Sequence, residues 1–123
     1  MTTPIPYYDD GQITIYHGDC REILPTLPPV DLVLTGGNYY NLPPTSCWLI
    51  WDKENGASDF ADCEMAWTNM GKATRLLRWR WAGMLQGDMG KKEYRWHPTQ
   101  KPMPVMRWCI EQSKTTGTIL DPF

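Results

Sequence analysis

The sequence feature that most constrains the fold of this chain is the short apolar run VDLVLT, which two glycines follow at once. Its apolar residues are Val30, Leu32, Val33 and Leu34, and a short apolar run of this kind is typical of a buried strand. In α/β proteins, the turn after such a strand is often where the functional residues lie. Here the turn reads GGNYY and contains no acid, base or nucleophile. The strand therefore predicts a functional loop, whereas the loop itself lacks catalytic residues.

Other segments predict further strands and one clear helix. MPVMRWCIEQ is predicted to be helical because Pro102 and Pro104 fall only at its start and its apolar residues pair at i,i+4. CREILPTLPP is predicted to be a short helical turn that Pro25 breaks. The remaining predicted strands are QITIYHGD, CWLIWDK, DCEMAWTN, TRLLRWRWAG and GTILDPF, and residues 83–96 are predicted to be irregular. Strands joined by such connections predict one layered α/β domain over residues 1–123.

Composition excludes several classes of protein. No apolar run approaches the roughly 20 residues that a membrane helix needs, so no membrane partner is expected. The N-terminus lacks the basic flank and apolar core of a signal peptide, which predicts a cytoplasmic protein. The four cysteines form no C-x-x-C pair and only two histidines accompany them, so no metal site is predicted.

The net charge of −2 hides a division along the chain. Residues 1–64 hold ten acids and two bases, whereas residues 72–101 hold eight bases and two acids, interleaved with Trp79, Trp81, Tyr94 and Trp96. Bases neutralise phosphates and aromatic rings stack on nucleobases, so this span predicts contact with double-stranded DNA. The alternative is a solvated strand face with core tryptophans, in which Arg78 and Arg80 share one face and Leu77, Trp79 and Trp81 the other. The predicted DNA contacts are Lys72, Arg75, Arg78, Arg80, Lys91, Lys92 and Arg95.

Four motifs carry a resemblance to a known family. HPTQKP at residues 97–102 and ILDPF at 119–123, with GDCREIL and VDLVLT nearer the N-terminus, resemble the permuted (beta-type) DNA amino-methyltransferases of bacteria and phages. The resemblance covers nearly the whole chain from Ile13. It implies a partial Rossmann-like α/β fold, a three-layer arrangement of a sheet with helices. It also implies transfer of a methyl group from S-adenosylmethionine to the exocyclic amine of adenine or cytosine, usually after the base has been flipped out of the duplex.

The resemblance also implies which residues bind the cofactor. Asp19 matches the acid that contacts the adenosine part, and Lys101 matches a position near the methionine carboxylate. Simpler alternatives are a turn acid for Asp19 and a capped helix start for HPTQ. The full set of predicted cofactor residues is Asp19, His97, Thr99, Lys101, Asp121, Pro122 and Phe123.

Two departures from the family pattern predict impaired catalysis. The family continues the strand with an Asp-Pro-Pro-Tyr type of tetrapeptide, whereas this chain joins Thr35 to Gly36, which suggests an internal deletion. The family also follows DPF with a glycine-rich loop, and the sequence stops at Phe123. A second interpretation treats Asn38 as a degenerate acceptor and Tyr40 as the stacking ring, although no prolines hold that turn.

Two other functions are compatible with the same residues. The chain could be a non-catalytic DNA-binding module built on residues 72–101, in which case DNA binding needs neither Asp19 nor Lys101. It could instead be an inactive remnant that folds only with partner subunits, because half a sheet leaves apolar edges exposed and favours a homo-oligomer. The choice between adenine and cytosine stays open, since the tetrapeptide that would discriminate them is missing.

Overall fold

The computed structural model of the chain describes residues 2–35, 42–56 and 58–122. Within these ranges the chain forms short strands, two α-helices and one 3₁₀ helix. In chain order the elements are β1 (Tyr8–Asp9), β2 (Thr14–Ile15), α1 (Cys20–Ile23), the 3₁₀ helix (Leu24–Thr26), β3 (Leu32–Val33), β4 (Trp48–Asp52), β5 (Cys63–Trp67), β6 (Arg75–Arg78), β7 (Trp81–Ala82), β8 (Leu85–Gln86), α2 (Met103–Ser113) and β9 (Ile119–Leu120). The fold is mixed α/β with small sheets, which confirms the coarse fold class expected from the sequence.

The first of two compact units combines Met1–Asn38 with Thr115–Phe123. In it, β1 and β2 form an antiparallel hairpin whose loop is closed by Asp10. The Asp10 carboxylate accepts hydrogen bonds from the backbone N–H groups of Ile13 (2.7 Å) and Gln12 (2.8 Å), and these bonds lower the pKa of that carboxyl. Gly11, with φ of 86°, takes the left-handed conformation that the turn requires.

The same unit contains a parallel pair of strands that are distant in sequence. Strand β3 pairs with β9, with Leu32 opposite Ile119 and Val33 opposite Leu120. Both strands come from runs that the sequence predicts as strands, VDLVLT and GTILD. The ladder is short, but it brings together segments that are separated by more than 80 residues of chain.

The second unit is Tyr39–Lys114, and its centre is a three-stranded sheet in the order β5-β4-β6. Strand β4 runs antiparallel to β5 and parallel to β6. Alternation along the middle strand buries Leu49 and Trp51 on one face, as its period of two dictates. Trp51 packs with Trp81 and Val105 to form the core of this unit.

Helix α2 begins at Met103, as its sequence predicts, and ends at Ser113, one residue beyond the predicted segment. Pro102 precedes the first turn and is fully buried, and Pro104 falls in the first turn, where the missing N–H of proline leaves no hydrogen bond unmade. The carboxylate of Glu93 accepts a hydrogen bond from the N–H of Met103 (3.0 Å) and so satisfies one free donor of the helix start. Lys114, in the left-handed conformation with φ of 58°, ends the helix.

The segment TRLLRWRWAG differs from the expected single strand. Strand β6 stops at Arg78, and the chain then enters a hairpin of β7 and β8 that turns at Gly83, with φ of 57°. The expectation of irregular structure over residues 83–96 was therefore wrong at its start, since a glycine that tolerates positive φ allows a tight turn there. The expected alternation holds: Arg78 and Arg80 are exposed, whereas Trp81 is buried.

Candidate functional site

The carboxyl ends of β3 and β9 lie at the same edge of their small sheet because the two strands are parallel. The N–H of Leu34 donates to the carbonyl of Leu120 (2.8 Å) and extends the pairing to this edge. Thr35 follows β3 there, and Asp121 and Pro122 follow β9. The Thr35 hydroxyl oxygen is buried and has no hydrogen-bond partner among the described residues. This edge therefore brings a buried polar atom next to the predicted cofactor residues Asp121 and Pro122.

Asp31 joins the opposite, amino-terminal ends of the same two strands. Its carboxylate accepts a hydrogen bond from the N–H of Thr118 (2.7 Å), and the N–H groups of Asp31 and Leu32 both donate to the Thr118 carbonyl (2.9 and 3.0 Å). Gly117 lies against the Asp31 side chain so closely that a Cβ at this position would overlap the carboxylate. Sequence reasoning missed this contact, although Asp31 lies near the start of one predicted strand and Gly117 at the start of the other.

Asp19 is engaged by its own helix. It is the N-cap of α1, and its carboxylate accepts hydrogen bonds from the guanidinium of Arg21, with which it forms an ion pair, and from the Arg21 backbone N–H (2.9 Å). These bonds, first from the side chain and then from the backbone, lower the pKa of Asp19, and the same ion pair raises the pKa of Arg21. A ligand that uses this carboxylate must therefore displace the exposed Arg21 side chain.

The HPTQKP motif forms a turn that hydrogen bonds between its own residues stabilise. The Thr99 N–H donates to Nδ1 of His97 (3.2 Å), and the Thr99 hydroxyl lies 2.9 Å from the same nitrogen. The N–H of Gln100 donates to the His97 carbonyl (3.1 Å). His97 and Thr99 are both exposed, so their contacts shape the turn without burying the ring.

Lys101 is paired with an acid that sequence reasoning did not connect to it. Its Nζ lies 2.8 Å from Oε2 of Glu64 on β5, while Nζ of Lys53 lies 3.1 Å from Oε1 of the same carboxylate. Partial burial alone would raise the pKa of Glu64, but the hydrogen bonds from Lys101 and Lys53 and their positive charges outweigh it and lower that pKa. Glu64 thus holds the last basic residue of HPTQKP against the sheet of the second unit.

Replacing Glu64 with glutamine is expected to lower the free energy of unfolding by about 0.5–1 kcal/mol at neutral pH, since water screens a carboxylate that is more than a third exposed. A lowered folded-state pKa contributes stability above the unfolded pKa and loses it as pH falls through the folded value. The wild-type advantage should therefore be constant above about pH 6 and shrink below about pH 4. Urea denaturation across this range measures it; an advantage that grows towards acid pH would contradict the ion-pair account.

The predicted DNA contacts divide into an exposed and a packed group. Arg80 is exposed, and so is Arg78, which lies 3.5 Å from Asp52 in a loose ion pair. Lys72, in contrast, donates to the carbonyl and the side-chain oxygen of Gln112 (2.8 and 2.9 Å). The exposed group is Arg75, Arg78, Arg80, Lys91 and Lys92.

Arg95 belongs to the packed group. Its guanidinium carbon lies 3.9 Å from the centre of the Trp81 ring, a stacking contact that places the charge over a core tryptophan. Its Nε and one terminal nitrogen are buried and have no hydrogen-bond partner among the described residues. As placed, this side chain supports the hairpin of β7 and β8 and does not face solvent as the other arginines do.

The candidate residues are therefore divided between the two units. Asp19, Asp121 and Pro122 belong to the first unit, and His97 to Lys101 belong to the second. The weak catalytic candidates Asn38 and Tyr40, and the cofactor candidate Phe123, lie outside the described residues.

Three further observations bear on function. In the described ranges, no group of three or more His, Cys, Asp or Glu side chains could hold a metal ion. Neither of the helices in those ranges is long and apolar enough to cross a membrane. No protein-family model, curated protein or solved structure matches the chain.

Proposed function

We propose that the chain is a DNA amino-methyltransferase by descent, with a partial Rossmann-like fold, that binds S-adenosylmethionine at the carboxyl edge of β3 and β9. The observation that carries this proposal is the parallel pairing of Leu32 with Ile119 and of Val33 with Leu120. The resemblance assigns one strand to the catalytic loop and the other to the cofactor loop. Ligands of open α/β sheets bind outside the carboxyl ends of such strands.

The residues at this edge fit the polar part of the cofactor. Asp121 follows β9, where a carboxylate can accept hydrogen bonds from a hydroxyl or an amine. The buried Thr35 hydroxyl, which has no partner in the described part of the chain, can donate to or accept from a polar ligand group. When bound, S-adenosylmethionine supplies an electrophilic methyl group on its sulfonium. Asp19 would join this set only after the Arg21 side chain moves away.

This copy is proposed to transfer methyl groups poorly or not at all. The exocyclic amine of a base needs acceptors at the reacting nitrogen, and the family takes them from the tetrapeptide after the strand. In this sequence, Thr35 is followed by Gly36-Gly37, and no Asp-Pro-Pro-aromatic segment follows VDLVLT. The proposed chemistry is therefore cofactor binding without efficient turnover.

Replacing Gly117 with alanine should weaken binding of S-adenosylmethionine by about tenfold or more, equivalent to about 1.4 kcal/mol. The new Cβ would displace the Asp31 carboxylate from Thr118 and loosen the β3–β9 pair. Isothermal titration calorimetry measures the affinity. Gly71→Ala is the matched control, because a Cβ there meets no atom within 4 Å.

Two results would count against the proposal. One is absence of cofactor binding to the wild-type chain at millimolar S-adenosylmethionine. The other is equal affinity of the Gly117→Ala and Gly71→Ala variants for S-adenosylmethionine, which would show that cofactor binding does not depend on the β3–β9 pair. A parallel assay with labelled cofactor and unmethylated DNA should give no turnover above background; clear turnover would contradict the proposed impairment.

A non-catalytic DNA-binding module is the second candidate, and the exposure of Arg75, Arg78 and Arg80 favours it. Exposed arginines can neutralise phosphates whether or not a cofactor is bound. Salt-sensitive DNA binding without any affinity for S-adenosylmethionine would select this second candidate over the first.

A further inference from the structure

Two aromatic side chains next to the HPTQKP turn are turned to solvent. Tyr94 is 71% exposed and Trp96 is 83% exposed. Their ring centres lie 4.6 Å apart at an angle of 65° between the ring planes, so the rings touch each other edge to face. Large aromatic rings normally contribute to cores or interfaces, and an exposed touching pair is therefore a candidate contact surface.

Hydrogen bonds hold the backbone beneath this pair at both residues. The side-chain oxygen of Gln100 accepts from the N–H of Trp96 (2.9 Å), and its side-chain nitrogen donates to the carbonyl of Tyr94 (3.2 Å). One residue earlier, Glu93 exchanges two hydrogen bonds with the buried side chain of Gln86 (2.7 and 3.0 Å). These hydrogen bonds fix the backbone that carries the two rings, which reduces the entropy lost when a ligand binds.

Two lysines and one acid are exposed in the chain segment that precedes the pair: Lys91, Lys92 and Asp88. Lys91 and Lys92 are exposed and lie in the same connection between β8 and α2. The two acids of this connection are occupied by backbone groups: the Asp88 carboxylate accepts from the N–H groups of Gly90 and Lys91, and Glu93 accepts from Met103. An incoming anion therefore meets lysines whose neighbouring carboxylates are already hydrogen-bonded.

We propose that Tyr94 and Trp96 form a stacking platform for an unpaired nucleobase, with Lys91 and Lys92 contacting the adjoining phosphates. The proposal rests on the DNA binding of the proposed function and names the part of DNA that this surface recognises. Aromatic rings beside basic side chains bind single strands by this combination, because every base has a face to stack and every nucleotide has a phosphate. A paired base has its faces covered by its neighbours.

The other tryptophans of the basic span are unavailable for stacking. Trp81 is buried in the core under Arg95, and the ring of Trp79 packs against Gly87. The sequence pattern alone grouped all four aromatic residues of the span together. The structure separates Tyr94 and Trp96 from the two that stabilise the fold.

The test compares two fluorescein-labelled single strands of 12 nucleotides that carry the same charge. One strand has thymine at its six central positions, and the other has abasic sites at those six positions. Fluorescence anisotropy at low salt should show that the wild-type chain binds the strand with bases about tenfold more tightly. Trp96→Ala and Tyr94→Ala should each reduce this ratio towards one, while leaving affinity for the abasic strand within about twofold. Trp96→Phe should keep most of the ratio, because a ring face remains.

Phe60→Ala is the matched control, since Phe60 is an exposed aromatic residue outside the basic span and its loss should change neither affinity. Circular dichroism verifies that each variant is folded. Equal affinity for both strands, or a ratio that Trp96→Ala leaves intact, would overturn the stacking platform while leaving phosphate binding and cofactor binding standing. Absence of binding to both strands and to duplex DNA would overturn the DNA-binding part of the proposed function, and the platform with it.

Discussion

Replacing Trp51 with alanine is expected to lower the free energy of unfolding of the Tyr39–Lys114 unit by about 3–5 kcal/mol. Trp51 is 3% exposed and lies on the middle strand of the sheet, where it packs against Trp81 and Val105. Its indole N–H also donates to the carbonyl of Trp79 (2.9 Å), which ties β4 to the chain beyond β6. Alanine would leave a cavity in the core and an unpaired carbonyl.

Urea denaturation followed by tryptophan fluorescence measures the stability of the Tyr39–Lys114 unit, because all seven tryptophans lie between residues 48 and 108. Trp51→Phe keeps most of the volume and removes the hydrogen bond, so it should cost about 1–2 kcal/mol. Trp96→Ala, a change of the same size at an exposed position, should cost less than about 0.5 kcal/mol. A loss below about 1 kcal/mol for Trp51→Ala would show that the core is not organised around this residue.

The second large effect is expected at Gly87. A Cβ at this position would overlap the fused ring of Trp79, whose carbonyl holds Trp51 in place. Since Trp79 packs against the core, its ring has little room to move, and Gly87→Ala should cost about 1–3 kcal/mol.

A double-mutant cycle separates the steric cause from any backbone effect. In a Trp79→Leu background the obstructing ring is absent, and Gly87→Ala should become nearly neutral. Gly71→Ala, where the added methyl meets open space, is the control for glycine replacement itself. An equal cost of Gly87→Ala in both backgrounds would contradict the predicted overlap with Trp79.

Local features of this fold could be read from the sequence. The alternation in LRWRW predicted exposed arginines between covered apolar residues, since a strand places successive side chains on opposite faces. Pro102 and Pro104 predicted where α2 begins, since proline is tolerated only at a helix start. VDLVLT and GTILD were predicted as strands, although each pairs over only two residues.

Contacts between distant residues could not be read in this way. Nothing in the composition links Lys101 to Glu64, or Asp31 to Thr118, because such pairs depend on how strands assemble. Charge counting likewise treated Arg95 as one base among eight, whereas its stacking on Trp81 depends on a hairpin that closes at Gly83.

The most direct test of the central claim is photochemical cross-linking of tritium-labelled S-adenosylmethionine, followed by trypsin digestion and mapping of the labelled peptides. Cleavage after Arg21, Lys53 and Lys114 places β3 in one peptide and β9 in another. We expect label in the peptides 22–53 and 115–123, lost in the presence of excess unlabelled cofactor. Label confined to peptides from residues 54–114, or no label that unlabelled cofactor competes away, would contradict a cofactor site at the carboxyl edge of β3 and β9.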